Sequence, residues 1–482
     1  MWRHAAAAAL FFFLCSGCVI FAPEKRPGAP LDMPERYSVR TRAAGDGDSF
    51  GGEWWRAFGS EELNRLVSRA LSGNFDIETA RARLAQAQAS ARKINAGAMP
   101  VLTGEAGAGT SKNRVRASSR APAKISEQES WSLGMAASYE IDLWGRVRSM
   151  RRAGAAGAAA AREDMEAAAM TAAARTVETW IDLIAVRREM ATLQKQIQNA
   201  QSLLEAQKVR FLNGRARAIE VSGQKEALAA IRSEAPILRL SERRLMTALA
   251  FLLGMASPSH LEIAEFDIPE PPPMPPAGVP ADLLAGRPDV RAASLRLQSA
   301  DWEVSAARAD LLPSLSLSGR SSFAAAETGL LFDNWLLNLA AGLTGPLFDG
   351  GRRGAEADRA RAVARERLTA YARTVAEAVK EVEDAMAEEE RRRVYAGLLK
   401  QRLKAAGETM KEAFLLYRNG AGDYLSYSGA LTSFWSLERL VETEKAALAK
   451  ARVGVFRALG GNWTREPAQW GAESDEQGNG KK

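Results

Sequence analysis

The chain has 482 residues, 46% hydrophobic and 26% charged, with 65 Lys+Arg against 58 Asp+Glu for a formal net charge of +7. There are only two His and two Cys, and His4, Cys15 and Cys18 all fall within the first eighteen positions. If that segment is a leader, the mature chain keeps His260 and at most one Cys, too few ligands for a His/Cys zinc site and too few partners for a disulfide framework. A hydrolytic triad would have one candidate base, and the interspersed, nearly balanced charges are a poor nucleic-acid signature. No metal, cofactor or nucleic-acid partner is expected, and length alone allows about three average domains.

Met1 to His4 carry Arg3, Ala5 to Leu14 form an apolar run, and Ser16-Gly17 precede Cys18. This is the three-part layout of a secretory signal and is too short for a membrane span. Cys18 is either a bystander near an ordinary cleavage site or the lipidated first residue of a bacterial lipoprotein. Gly17 and Ser16 suit the second reading, although Cys15 stands where Leu is usual. Several acyl chains, at about 0.8 kcal/mol per buried methylene, anchor a protein stably. The residues that follow, Ala22 to Gly52, are irregular and rich in Pro, Gly and charge. No later run of apolar residues is long enough for a transmembrane helix.

The body of the chain is a duplication. Asn74-Phe75-Asp76-Ile77 reappears as Arg287-Pro288-Asp289-Val290, and Pro100 as Pro313 at the same offset. Further on, Gly145-Arg146 matches Gly351-Arg352, Asn213-Gly214 matches Asn419-Gly420, and Leu253-Gly254 matches Leu459-Gly460. One register joins three separated motifs, and the halves differ in length only between Leu102 and Gly145. The expected organisation is a signal peptide at 1–17, a lipidated extended segment at 18–58, a first repeat at 59–256 with a hairpin at about 101–144, a Pro-rich connector at 257–280, a second repeat at 281–463 with a hairpin at about 314–348, and a polar tail at 464–482. The run Pro269-Glu270-Pro271-Pro272-Pro273 precludes helix and favours a stiff, extended link.

Glu61–Ala98 and Ala281–Leu311 read as helices that stop before Pro100 and Pro313. From Arg146 to Phe211 the chain lacks proline, and a continuous helix there would be about 99 Å long. Its second half places Val186, Met190, Leu193, Ile197, Ala200, Leu204, Gln207 and Phe211 at alternating steps of four and three, the seam of a coiled coil. Leu399, Leu403, Ala406, Met410, Ala413 and Tyr417 repeat it in the second half. These seam residues read as scaffold.

Between the helices the period falls to two. Trp131, Leu133, Met135, Ala137, Tyr139, Ile141 and Leu143 alternate with small or polar residues, as do Trp335, Leu337, Leu339, Ala341, Leu343 and Leu347. Val101–Gly109 and Ser314–Ser321 are weaker strands. The long strands reach the length a tilted membrane strand requires, and aromatic residues at their ends fit interfacial girdles. Two hairpins packed on a soluble helical domain is the competing reading. Four strands cannot close a barrel and an open edge cannot lie in lipid, so a membrane reading requires two, three or four chains to share eight, twelve or sixteen strands.

With these motifs in order, the sequence resembles the TolC family of outer-membrane efflux proteins, in its lipoprotein, NodT-like branch. The resemblance rests on Cys18 with Pro23 and Arg26-Pro27, Asp142-Leu143-Trp144-Gly145-Arg146, Arg287-Pro288-Asp289-Val290-Arg291, Leu312-Pro313-Ser314-Leu315-Ser316-Leu317 and Pro346-Leu347-Phe348-Asp349-Gly350-Gly351-Arg352. It implies an α+β fold of duplicated helix–hairpin–long helix units, an oligomeric transmembrane β-barrel continuous with a long periplasmic α-helical barrel. It further implies a homotrimer in the bacterial outer membrane, docking to a periplasmic membrane-fusion adaptor and an inner-membrane pump of the resistance-nodulation-division class. Gly145 and Gly351 would turn strand into helix, and Asn213-Gly214 and Asn419-Gly420 would stop the long helices at the periplasmic tip.

The resemblance also points to a gate. Relatives often carry an Arg-Tyr pair, a Gly, a Tyr/Phe-Leu pair and then an Asp, where this chain has Leu416-Tyr417, Gly420, Tyr424-Leu425 and Gly429. Leu425 is the implied constriction and Tyr417 the implied latch, while Leu416 and Gly429 replace the charged positions and Asp423 is a substitute charge. Arg210, Phe211 and Glu220 are the first-half counterparts. The function so implied is a passive exit duct, not an enzyme. A type I protein-secretion duct and a lipid-anchored coiled-coil scaffold without a pore are the alternatives. An enzymatic reading would have to rest on His260, which has no evident carboxylate partner.

Overall fold

The computed structural model describes residues 34–38, 53–116, 118–120, 122–275, 280 and 286–461. Cys18 with its leader, all of the segment Ala22 to Gly52 except residues 34–38, the end of the Pro-rich connector and the polar tail lie outside the described residues. The first repeat runs α1 (Glu61–Gly73), α2 (Phe75–Ala96), β1 (Val101–Val115), β2 (Lys124–Ile141), α3 (Arg146–Leu212) and α4 (Ala218–Leu252). The second runs α5 (Pro288–Ala309), β3 (Ser314–Ala325), β4 (Trp335–Thr344), α6 (Arg352–Arg418) and α7 (Tyr424–Ala458). Equivalent helices match in length: α2 and α5 have 22 residues each, α3 and α6 have 67, and α4 and α7 have 35. The first hairpin is the longer one, with strands of 15 and 18 residues against 12 and 10. The duplication is therefore structural as well as sequential.

The single helix expected over Glu61–Ala98 is two. Asn74 interrupts it because its side chain serves both neighbours: Oδ1 accepts from the Asp76 N–H at 2.9 Å, and Nδ2 donates to the Leu252 carbonyl at 2.9 Å. An amide that caps the next helix competes with continuation of the first. The expected long helix is continuous and ends at Leu212.

The chain divides into two compact units. One gathers residues 83–161 and 292–372 and holds the sheet; the other gathers 31–82, 162–291 and 373–482. The main core of the second unit is built from Trp54, Trp55, Leu63, Val67, Trp180, Ile181, Ile184, Leu249 and Val453. Polar anchors tie its segments together. Buried Arg452 forms a salt bridge to buried Glu389 and donates to the Pro272 carbonyl, which pins the connector to α6 and α7. Arg287 bonds Asp289 at 2.7 Å, Glu381 at 2.8 Å and the Ala458 carbonyl at 2.9 Å. The coiled-coil seam is buried at Leu193, Ile197, Ala200, Leu204 and Gln207, whereas Phe211 is exposed because the helix stops one residue later.

In the first unit, four antiparallel strands form one sheet in the order β1-β2-β3-β4, leaving the outer edges of β1 and β4 unpaired. No strand residue is buried in the single chain. The alternating half-burial anticipated from the sequence is not seen: the central strands β2 and β3 are partly buried on both sides by their neighbours, while β1 and β4 are exposed throughout. All ten positions of β4 are exposed, including Trp335, Leu337, Leu339 and Leu343. Among the described residues no helix is long and apolar enough to cross a membrane.

Candidate functional site

Register sorts the sheet into two chemically distinct faces. Thr103 pairs with Ala136, Glu105 with Gly134 and Gly107 with Ser132. Across the next ladders Ser138 meets Ser318, Ala136 meets Arg320, Gly134 meets Ser322, and Arg320 meets Asn338. Since side chains alternate across a strand, these small and polar residues share one side. The other side carries Leu102, Ala106, Ala108, Leu133, Met135, Tyr139, Ile141, Leu315, Leu317, Phe323, Trp335, Leu337, Leu339 and Leu343. Trp131, Phe323 and Trp335 stand together at its far end, with Phe332 packed on Phe323 at 5.4 Å. Tyr139 and Trp144 mark the helix-proximal end. From Trp131 to Ile141 the strand is about 34 Å long, or about 24 Å high when tilted near 45°, the height of a barrel's lipid-facing belt.

The turn from strand to helix is held by carboxylates. Gly145 and Gly351 have φ of 77° and 83°. Asp142 accepts from the Val147 and Arg148 N–H groups at 3.0 and 2.8 Å, satisfying orphan donors of the first turn of α3. Asp349 accepts from the N–H groups of Gly351 at 3.0 Å and Arg353 at 3.3 Å. Trp144 Nε1 donates to the Pro313 carbonyl at 2.6 Å, joining the two repeats. An Asp a few residues ahead of a Gly and a long helix is a capping signal visible in the sequence.

At the other end of the long helices sits an aromatic cluster. The Tyr417 ring stacks on Tyr427 with centroids 5.8 Å apart and meets Tyr424 edge-on at 5.8 Å. The Arg210 guanidinium lies 4.5 Å above the Tyr417 ring. Gln207 Nε2 donates to the Tyr417 hydroxyl at 2.6 Å, and the Tyr424 hydroxyl donates to Gln224. Burial raises the pKa of the Tyr424 and Tyr427 hydroxyls, so both stay protonated across the physiological range. Asp423 is the N-cap of α7: its carboxylate accepts from the Ser426 N–H at 2.7 Å and the Ser426 hydroxyl at 3.0 Å. The Ser426 N–H holds its pKa below the ordinary 3.8, which keeps an exposed negative charge there. Leu425 and Leu416 are exposed, and no heavy atom would come within 4 Å of a Cβ placed on Gly429. Glu220 pairs with Arg217 at 3.2 Å. Tyr417 and Arg210 are thus brought together, Leu425 and Asp423 lie at the exposed start of α7, and Phe211 is exposed.

A family model described as outer membrane efflux protein matches residues 66–255 and again residues 279–461. The chain belongs to the outer membrane efflux protein family. The pyoverdine export outer membrane protein OpmQ of Pseudomonas aeruginosa is 30% identical over 97% of this chain and 98% of its own length. The outer membrane protein OprJ of the same species is 28% identical over 95% of each chain. The cation efflux system protein CusC of Escherichia coli is 24% identical over 93% of this chain and 96% of its own. Among solved structures, the outer-membrane channel OprN superposes with a TM-score of 0.82 at 27% identity, covering 91% of this chain and 99% of that one. As an outer membrane efflux protein, the chain is an outer-membrane channel component of a tripartite efflux system, with a periplasmic helical extension. A bare apolar face suits contact with lipid, and a face of small and polar residues suits a water-filled lumen.

Proposed function

We propose that three copies of this chain close a twelve-stranded barrel and form a passive exit duct for solutes handed over by a periplasmic adaptor and an inner-membrane pump of the resistance-nodulation-division class. The observation that carries this reading is the sheet with one predominantly apolar face over its helix-proximal span and two unpaired edges, which lipid tolerates only when further copies complete the ring. The same bare face argues against a pore-free periplasmic scaffold. Leu425 is the constriction at the periplasmic tip, Tyr417 the latch that holds it, and Asp423 the charge that meets solutes entering. Cys18 carries acyl chains, palmitate among them, that add an anchor in the outer membrane. Relatives named for pyoverdine export and for cation efflux share the fold across nearly their full lengths, which fits a duct whose cargo is chosen upstream. Native mass spectrometry of detergent-extracted protein tests the assembly. A mass of three acylated chains is expected, and a stable monomer or dimer overturns the reading.

A further inference from the structure

The lumenal face is almost free of charge. On the polar side of the four strands the ionisable residues are Lys124 and Glu140 at the two ends of β2, and Glu105 and Arg320 between them. Glu140, at the helix-proximal end of the belt, is engaged by Arg146 at 2.6 Å. Glu105 and Arg320 are on strands that do not touch, β1 and β3. Arg320 Nη2 nevertheless donates to Glu105 Oε2 at 2.7 Å, its side chain crossing β2 between Gly134 and Ala136, which are small enough to let it pass. Both partners are more than half exposed in the single chain, so the pair borders the water-filled space and is not part of a packed core.

A lone charge in a pore repels solutes of its own sign and concentrates the other, whereas an ion pair presents only a dipole. We propose that the Glu105–Arg320 pair is the charge-balancing element of the barrel lumen: each group cancels the other's field, so that anionic and cationic solutes pass the membrane stage equally. This rests on the duct reading above. Surrounded by Ser132, Ser138, Ser318, Ser322 and Asn338, the pair gives the barrel a hydrated lining with no net preference. Removal of Arg320 leaves a carboxylate at that height in every copy and a cation-preferring ring. Removal of Glu105 leaves guanidinium groups and an anion-preferring ring.

The test is local to the barrel, so closure at the other end does not enter. Beyond position 18 the chain has no cysteine. Ser318→Cys therefore places one new thiol on the polar face, two residues from Arg320 toward the helices. Full-length protein in outer-membrane vesicles is treated from outside, at low ionic strength, with cationic, anionic and uncharged methanethiosulfonates. The label is read by mass on the peptide containing position 318. With the pair intact the cation-to-anion rate ratio should match that of a small uncharged thiol in solution, whose thiolate sets the intrinsic preference. At about 7 Å in water an uncancelled charge changes each rate about threefold and the cation-to-anion ratio about ninefold. The ratio should rise in R320Q, fall in E105Q and return in the double variant. If the single variants do not insert, the charge-swapped pair E105R/R320E must reproduce the parent ratio. An unchanged ratio in both single variants, or a shifted one in the swapped pair, overturns the proposal. A thiol that no reagent reaches, the uncharged one included, overturns the lumenal assignment and the duct reading with it.

Discussion

Tyr417, the proposed latch, is held by groups other than a charged residue at position 416, where this chain has Leu. Its hydroxyl accepts from Gln207, its ring stacks on Tyr427, and Arg210 covers the other face. Gln207 is 1% exposed and its Oε1 has no hydrogen-bond partner. Tyr417→Phe would leave the whole amide unsatisfied and should cost about 1–3 kcal/mol, seen as a lower melting temperature of the detergent-solubilised protein. Gln207→Met, which replaces the amide with apolar volume, should cost less than Tyr417→Phe; the reverse order would show that the hydrogen bond does not matter. The sequence exposed Gln207 as the polar intruder in a heptad seam, but its partner lies on the other repeat and no local spacing points to it. A second residue-scale prediction concerns acid. Burial alone would raise Asp289, but the Arg287 guanidinium outweighs it and holds the carboxyl below the ordinary 3.8. An acid depressed in the folded state contributes stability above its unfolded pKa and loses it as pH falls through the folded one. The Asp289 contribution should therefore be constant down to about pH 4 and lost below it, so Asp289→Asn should blunt the fall of the urea midpoint in that range.

At the scale of elements, period and punctuation made most of the architecture readable. A seven-residue seam and an absence of proline defined the long helices, and alternation defined the strands. Two things escaped. The break at Asn74 depends on a bond to Leu252, far along the chain. The outer parts of β1 and β2 carry polar residues on both faces, among them the Lys112–Glu127 pair at 3.3 Å, so no alternation announces them. The repeated Leu-Gly motif acquires a reason. Gly254 has φ of 73°, and a Cβ there would lie 2.0 Å from the Gly73 carbonyl oxygen; at Gly460 it would lie 2.8 Å from that of Gly286. Gly214 shares the left-handed backbone but faces open space. Gly214→Asn should cost under about 1 kcal/mol, since Asn tolerates that conformation. Gly254→Asn adds a backbone clash to strain of about 1–3 kcal/mol and should greatly reduce the yield of folded protein. Equal losses at the two sites in a denaturation series would contradict the close-approach explanation.

For the molecule as a whole, scarcity of His and Cys, an N-terminal address and a duplicated α+β unit already pointed away from catalysis and toward a shared pore. The chain alone does not complete that structure, since its apolar belt is bare and its sheet has two open edges. The faces of the sheet were implicit in the alternation, whereas the pairing of Glu105 with Arg320 needed the register of three strands. The most direct measurement is planar-bilayer conductance of the reconstituted full-length protein, wild type against Leu425→Ala. Discrete channels are expected from both, with a larger unitary conductance or open probability when the side chain at the proposed constriction is shortened. No conductance from either form, with the oligomer and its β-sheet spectrum intact, would contradict the duct.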